Sequence, residues 1–290
     1  MRIREILSFG GEIMKKCFSV LLVAALLCTF VLPHSAATEE EPLRLPIVMY
    51  HHISREPSRW NDYVVSEQEF ESDLQWLAQN GYSSVRVAEL LAWQRGEYEM
   101  PEKPVIITFD DGFESTLVYA EPLLQRYGFT AVVAVIGSVC EEFSVLDEHD
   151  PELSNLSWED AAAIAERGTI EVQCHTWDMH ALSPRCGCNI RRWESEGVYR
   201  STLSRDLSRF LMGCASHGLV LTPTIAYPYG AYSRETTDAV RDFGFLAAFT
   251  CTEKINLLTG TEEELYDLGR FNRPHGISSE NFFEKWEENG

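Results

Sequence analysis

Positive charge is scarce in this chain: 24 lysines and arginines face 45 aspartates and glutamates in 290 residues, for a formal net charge of −21. That balance excludes binding to nucleic acid by neutralising phosphates. It also sets long-range repulsion against anionic polymers, within the reach of salt screening, so a neutral or cationic substrate fits better. Internal repeats and disordered tracts are missing, which excludes a solenoid or a linker protein. Regular cysteine spacing is missing too. Cys140, Cys174, Cys186, Cys188, Cys214 and Cys251 lie at irregular intervals beyond the N-terminal segment. A domain this large needs no staples, so they read as part core residues and part bridge candidates, with no pairing assigned. Cys186-Gly187-Cys188 has no second pair to make it a metal site.

What is present is a globular composition, 45% hydrophobic, behind an export signal. Lys15-Lys16 precede an apolar run from Cys17 to Leu32, and Pro33-His34-Ser35-Ala36-Ala37 offers small residues for cleavage. This is the order of a secretory signal peptide over residues 1–37. The run is short for a membrane span, with an uncleaved anchor as the alternative. Leu27 before Cys28 argues against a lipoprotein signal. Residues 38–42 read as an acidic linker, and residues 43–290, with no internal linker, as one domain. The expected product is secreted or held at the cell surface, without lasting membrane insertion once the signal is removed.

Strands and helices alternate along that domain. Leu43 to Met49 reads as a strand ending at Tyr50-His51-His52, and Ser66 to Asn80 as a helix with Phe70, Leu74 and Leu77 on one face. A helix over Val87 to Trp93 and a strand over Val105 to Phe109 follow, then a helix over Ser115 to Tyr127 and a strand over Thr130 to Ile136, stopped by Gly137. Ser157-Trp158-Glu159-Asp160 outlines a capping box. Strands are expected at Thr169 to Cys174, Val220 to Tyr227, Phe245 to Thr250 and Leu265 to Phe271, with helices at Val198 to His217, Ser233 to Phe243 and Ser278 to Trp286. Such alternation predicts parallel strands with right-handed crossovers. The repeats are too many for a small open sheet, so a barrel-like α/β closure is expected, with the active site at the C-terminal strand ends.

Three stretches fall at those ends. Thr108-Phe109-Asp110-Asp111-Gly112 places two adjacent carboxylates after an apolar strand. Asp-Gly alone is more often a turn, but paired carboxylates can divide labour, one binding a metal and the other accepting a proton from water. His175 and His180 follow the strand ending at Cys174. Five apart, they are about 140° out of phase on a helix and on opposite faces of a strand. They converge only if the chain curls. With the carboxylates they make a three-ligand set with open positions, as in catalytic zinc or similar divalent sites. Ala226-Tyr227-Pro228-Tyr229-Gly230 is either a plain turn or one that aims the Tyr229 N–H at a developing oxyanion, with Pro228 fixing the geometry.

In this order the three stretches resemble the polysaccharide deacetylases of the NodB-homology, carbohydrate esterase family 4 class, over most of residues 43–290. The resemblance implies a distorted (β/α) barrel, a divalent metal, usually zinc, and removal of N- or O-acetyl groups from a polysaccharide. It implies Asp111, His175 and His180 as metal ligands, Asp110 as general base, and the Tyr229 N–H, with Pro228 beside it, as oxyanion site. This sequence departs from many members in its wider histidine spacing, in Ala226 where they carry an arginine, and in lacking a Leu-x-His and a tryptophan-containing motif near the C-terminus. Those departures resemble the subgroup that deacetylates poly-β-1,6-N-acetylglucosamine, which shares a Tyr-His after its first strand. Here that pair is Tyr50-His51, which makes His51 the expected general acid, ahead of His52 and of His275. His149 and His217 are expected at the surface. The reading is a secreted deacetylase of an N-acetylglucosamine polymer. The alternatives are an O-acetyl esterase on xylan or cell-wall glycan and a non-catalytic glycan-binding module.

Overall fold

The computed structural model describes residues 41–288. The expected signal peptide, and all of the expected linker but Glu41 and Pro42, lie outside the described residues. The strands are β1 (Leu43–Leu45), β2 (Ile47–Tyr50), β3 (His52–Ser54), β4 (Val64–Ser66), β5 (Ser83–Ser84), β6 (Pro104–Phe109), β7 (Ala131–Val135), β8 (Ile170–Cys174), β9 (Thr224–Ala226), β10 (Ala247–Phe249), β11 (Asn256–Leu258) and β12 (Phe271–Asn272). The helices are α1 (Glu67–Gln79), α2 (Val87–Gln94), α3 (Glu121–Tyr127), α4 (Gly137–Leu146), α5 (Trp158–Arg167), α6 (Glu196–Ser216), α7 (Arg234–Asp242), α8 (Ser279–Phe283) and α9 (Lys285–Glu288).

Seven strands form one parallel path, β10-β9-β8-β7-β6-β2-β12, and β5 joins the start of β6. No ladder closes β10 onto β12. The segment entering β12 lies along β10 instead: Leu268 N donates to Ala248 O (3.1 Å) and Thr250 N to Leu268 O (2.8 Å). The result is the distorted barrel that the sequence pattern predicts, in one domain.

Side-chain alternation divides the core. Val105, Ile107, Phe109, Val133 and Val135 join the larger hydrophobic cluster, which α1, α3, α5 and α6 complete. The intervening Ile106, Val132 and Ala134, with Ile47, Ala226 and Phe249, form a smaller cluster on the opposite face. Antiparallel β1–β11 and the buried side of α2 add further members, Leu45, Leu258 and Leu90 among them. On β6 the inner parity is 106, 108, 110; on β2 it is 47, 49, 51; on β8 it is 171, 173, 175. Asp110, His51 and His175 therefore all turn inward at the C-terminal ends of their strands.

The expected caps form: Ser157 accepts from Asp160 N while Asp160 accepts from Ser157 N. Several expectations change. The strand expected over Leu43 to Met49 is two, β1 and β2, in different sheets, and the helix expected over Ser115 to Tyr127 is α-helical only from Glu121, after a π-helical turn over Thr116–Ala120. Gly137 opens a helix as well as ending β7, because its bare Cα lies under Trp177 and Phe210, where a Cβ would come within 2.7 Å of the indole. Leu265 to Phe271 is not one strand: a 3₁₀ turn spans Glu263–Tyr266 and only Phe271–Asn272 is extended in a ladder. Val220 to Tyr227 shrinks to Thr224–Ala226.

A buried ion pair ties β12 to α1. Arg273 Nε and Nη2 donate to the two oxygens of Asp73 at 2.8 and 3.1 Å, and Tyr50 Oη adds a bond at 2.8 Å. Both charged side chains are almost wholly removed from solvent. Asp73→Ala leaves a buried guanidinium without its counter-charge, so chemical denaturation should show a loss of about 3–5 kcal/mol; a loss under about 1 kcal/mol would mean the pair is not what fixes β12.

Candidate active site

Asp110 is 2% exposed and meets an arginine head-on: Arg270 Nη1 and Nη2 donate to Asp110 Oδ1 and Oδ2 at 2.7 and 2.8 Å. Arg270 is itself fully buried and anchored by Nε to Thr250 O (3.0 Å) and by Nη1 to Thr108 Oγ1 (3.3 Å). Burial alone would push the Asp110 carboxyl up, but the guanidinium outweighs it and holds the pKa below the usual range. Asp110 is thus a fixed anion. The arginine missing at position 226 has a counterpart here from the segment just before β12. The sequence carried one trace of it, an arginine embedded in the otherwise apolar run Leu268-Gly269-Arg270-Phe271.

Asp111 breaks the alternation. Its φ is 68° and that of Gly112 is 74°, so the chain curls and the second carboxylate swings in beside the first. Gly112 is required there, since a Cβ would lie 2.9 Å from Val135 Cγ1. Asn155 Nδ2 donates to Asp111 O (2.9 Å) and Leu156 N to Gly112 O (2.8 Å), which brace the turn.

His175 and His180 converge because the residues between them also curl. Thr176 has φ 69°. Asp206, buried on α6, accepts from Trp177 N (2.7 Å) and Asp178 N (2.9 Å), and Thr176 Oγ1 accepts from Met179 N (3.1 Å). The two Nε2 atoms lie 3.5 and 3.2 Å from Asp111 Oδ1, and one donor atom from each of the three residues falls within 4.8 Å of the others. His175 Nδ1 sits 2.8 Å from Ala226 O. That contact fixes Nδ1 as the protonated nitrogen and leaves the Nε2 lone pair pointing at Asp111. His180 Nδ1 is 3.1 Å from Tyr229 Oη. Asp111 Oδ1 is buried without a hydrogen bond. Two imidazole nitrogens and an unspent carboxylate oxygen, each oriented from behind, fit a divalent cation. Without a cation, hydrogen bonds donated by the two histidines more than reverse the upward push of burial on the Asp111 pKa, so this carboxyl is also ionised; a bound cation would take the place of those protons.

These groups line a cavity of about 690 Å³ with His51, Tyr63, Phe113 and Leu182 on its walls. His51 packs edge-on against Tyr63 (5.0 Å between centroids). Its pKa is lowered by burial, with Asp110 and Asp111 offsetting part of the effect. Of the rivals, His52 also lines this cavity and His275 does not, and each has a ring nitrogen engaged. His52 stacks on Phe113 and its Nε2 meets Pro151 O at 3.0 Å. His275 Nδ1 is 2.8 Å from Glu69 Oε2, and its ring lies by Trp60. Tyr229 sits at φ 60° in the 3₁₀ turn Pro228–Gly230, its ring against His180. All seven expected site residues except Pro228 line this one cavity. The six described cysteines are free; Cys251 lies on the cavity wall and Cys188 in the core.

Sequence reasoning missed Arg270 and Asn155, which touch Asp110 and Asp111 from outside their motif, and Asp206, which holds the chain between the two histidines. Asp206 is the sharpest case, because it accepts from the backbone N–H groups of both Trp177 and Asp178, which lie between the histidines. Asp206→Ala should weaken zinc binding by about 10–100-fold, as loss of an orienting partner does, read by competition with a chromogenic chelator. Unchanged zinc affinity in a folded variant would mean the curl holds without it.

Comparison with known proteins agrees with this geometry. The chain is 29% identical over 243 residues to the Bacillus subtilis protein YxkH, covering 84% of this chain and 76% of that one. It is 24% identical over 222 residues to the poly-beta-1,6-N-acetyl-D-glucosamine N-deacetylase of Escherichia coli K12, covering 70% of this chain but only 33% of that enzyme. The solved Streptococcus pyogenes deacetylase PplD, in complex with acetate, shares the fold with a TM-score of 0.65 at 22% identity, over 84% of this chain and 98% of that one. Residues 97–248, more than half of the chain and the stretch that contains both carboxylates, both histidines and the Pro-Tyr-Gly turn, match the family model for polysaccharide deacetylases, and the chain belongs to that family.

Proposed function

We propose that the chain hydrolyses N-acetyl groups on an N-acetylglucosamine polysaccharide outside the cell. The observation that carries this reading is the meeting of Asp111 Oδ1 with the Nε2 atoms of His175 and His180 beside a second carboxylate already committed to Arg270. Zinc suits that donor set, and when bound it would polarise the acetyl carbonyl and lower the pKa of water to about 7. Asp110 accepts the proton of the attacking water. Arg270 keeps it ionised and points its oxygens, at the cost of some basicity. The Tyr229 N–H receives the oxyanion that forms as the carbonyl becomes tetrahedral, and Pro228 sets the turn that presents it. His51 delivers a proton to the departing amine. Burial makes its imidazolium a ready donor, which an amide needs because an unprotonated amine leaves poorly.

The cavity suits a neutral sugar. Tyr63, Phe113 and Tyr229 give it aromatic faces, and the acidic surface favours an uncharged or amine-bearing glycan over an anionic one. Export rests on the N-terminal segment, and among the described residues no helix is long and apolar enough to cross a membrane. The poly-β-1,6-linked polymer named for the Escherichia coli enzyme is the substrate class proposed first.

Acetate release should occur from β-1,6-linked N-acetylglucosamine oligomers, and chelation should abolish it. Release from acetylated xylan alone would make the protein an esterase. Oligosaccharide binding that survives chelation, without acetate, would make it a binding module. Asp110→Asn should keep zinc yet lose roughly 10²–10⁴ in turnover; near-normal turnover with metal bound would remove Asp110 as the base. His51→Ala should depress amide cleavage far more than cleavage of an activated ester, and equal losses on both would take the acid role from His51.

A further inference from the structure

Most arginines in this acidic protein are neutralised where they stand. Arg126 reaches Glu71 (2.8 Å), Arg167 reaches Glu121 (2.6 Å), Arg185 reaches Glu194 (2.6 Å) and Arg200 reaches both Glu196 and Asp242 (2.9 and 2.7 Å). Against that habit, three arginines that form no ion pair among the described residues, Arg191, Arg205 and Arg209, surround one depression of about 330 Å³. All three are exposed.

The depression is built, not incidental. Helix α6 presents Thr202, Arg205, Asp206 and Arg209 at the spacing of one helical face. The facing wall is the chain that leaves the metal-site curl, with Met179 and Ala181 on either side of His180, then Arg185 and Arg191. The Arg209 guanidinium lies over the Trp177 ring, 4.7 Å from its centroid. Arg185 is buried and fixed by Glu194 and by Asn189 O (2.7 Å). Two carboxylates also line the space, but Asp206 is spent on the backbone N–H groups of Trp177 and Asp178. Asp206 keeps its charge, so with Asp178 two acids face three unpaired guanidinium groups, and the depression is left net positive. Placing Arg205 and Arg209 one turn apart sets like charges side by side, which is unfavourable unless something negative joins them.

We propose that this depression binds an oxyanion carried on a sugar, a phosphate ester or a uronate carboxylate, next to the catalytic cavity. Guanidinium groups are the side chains best shaped for either anion, since their paired N–H donors match two oxygens at once. Long-range repulsion by the acidic surface disfavours free polyanions, while the arginines act at contact distance on a single charged sugar residue, free or carried on a chain. The oxyanion preference stands on the arginines alone, while placing that anion on a glycan rests on the deacetylase reading above.

The test is calorimetric binding of glucuronate, glucose 6-phosphate and neutral glucose to the full-length protein at low salt. At least one charged sugar should bind, glucose should not bind detectably, and added salt should weaken the charged ligand. The tighter of the two charged sugars identifies the anion. Arg191→Gln combined with Arg205→Gln should weaken that ligand by at least about fivefold, with the fold checked by circular dichroism, while Arg234→Gln, outside the depression, should leave it unchanged. Charged sugars binding no better than glucose, or a smaller loss in the double variant, would overturn the site. Because binding is read without turnover, a protein that binds the charged sugar but releases no acetate would sink the deacetylase reading alone.

Discussion

The buried contact between Asp110 and Arg270 is the interaction on which the rest of the site depends. A carboxylate taken out of water is unfavourable enough to bind a proton unless a counter-charge meets it. Arg270 meets it with both nitrogens, and to do so the chain must bring residues 268–270 alongside β10 before β12 begins. Three residues later Arg273 makes the same kind of contact with Asp73. The C-terminal segment is therefore tied along β10 by the backbone bonds of Leu268 and pinned to the end of β6 and to α1 by two buried ion pairs. Such pairs contribute little net stability over an apolar core, but they penalise every arrangement that separates them, and that is a means of fixing position.

Backbone conformation supplies the rest of the geometry. Among the described residues four that are not glycine have positive φ, and three of them, Asp111, Thr176 and Tyr229, belong to the three motifs. Each costs roughly 1–2 kcal/mol relative to a right-handed conformation. Each is also held from outside its own motif: Asp111 by Asn155, the stretch after Thr176 by Asp206, and Tyr229 by the contact of its hydroxyl with His180. Strain that persists under such bracing marks places where a regular strand end would have aimed the functional group wrongly.

This explains what the sequence disclosed and what it hid. The apolar run before Asp110-Asp111-Gly112, the caps and the alternation of strand and helix are local patterns, and the parallel sheet follows from them. The five-residue histidine spacing was legible as an anomaly that needed a curl. The device that makes the curl was not, because Asp206 lies 31 residues after His175 on a helix whose surface pattern is unremarkable in sequence. Arg270 was hidden for the same reason: its partner is 160 positions away. The helix from Gly137 was missed because glycine reads as a stop, and only the packing of Trp177 and Phe210 over it shows why glycine stands there.

The twin carboxylates acquire different chemistry from their partners. Asp110 has both oxygens occupied by a group that cannot lose its charge in water's range, so its free capacity is limited to accepting a proton along the remaining lone pairs. Asp111 faces two imidazoles that ligate only when neutral, and it keeps an oxygen with no hydrogen bond. A divalent cation would be repelled from the Arg270 side and drawn to the histidine side, so the proposed division between base and ligand follows from which neighbour carries a permanent charge. Exchanging the two roles would require moving the arginine, which the closure of the barrel does not allow.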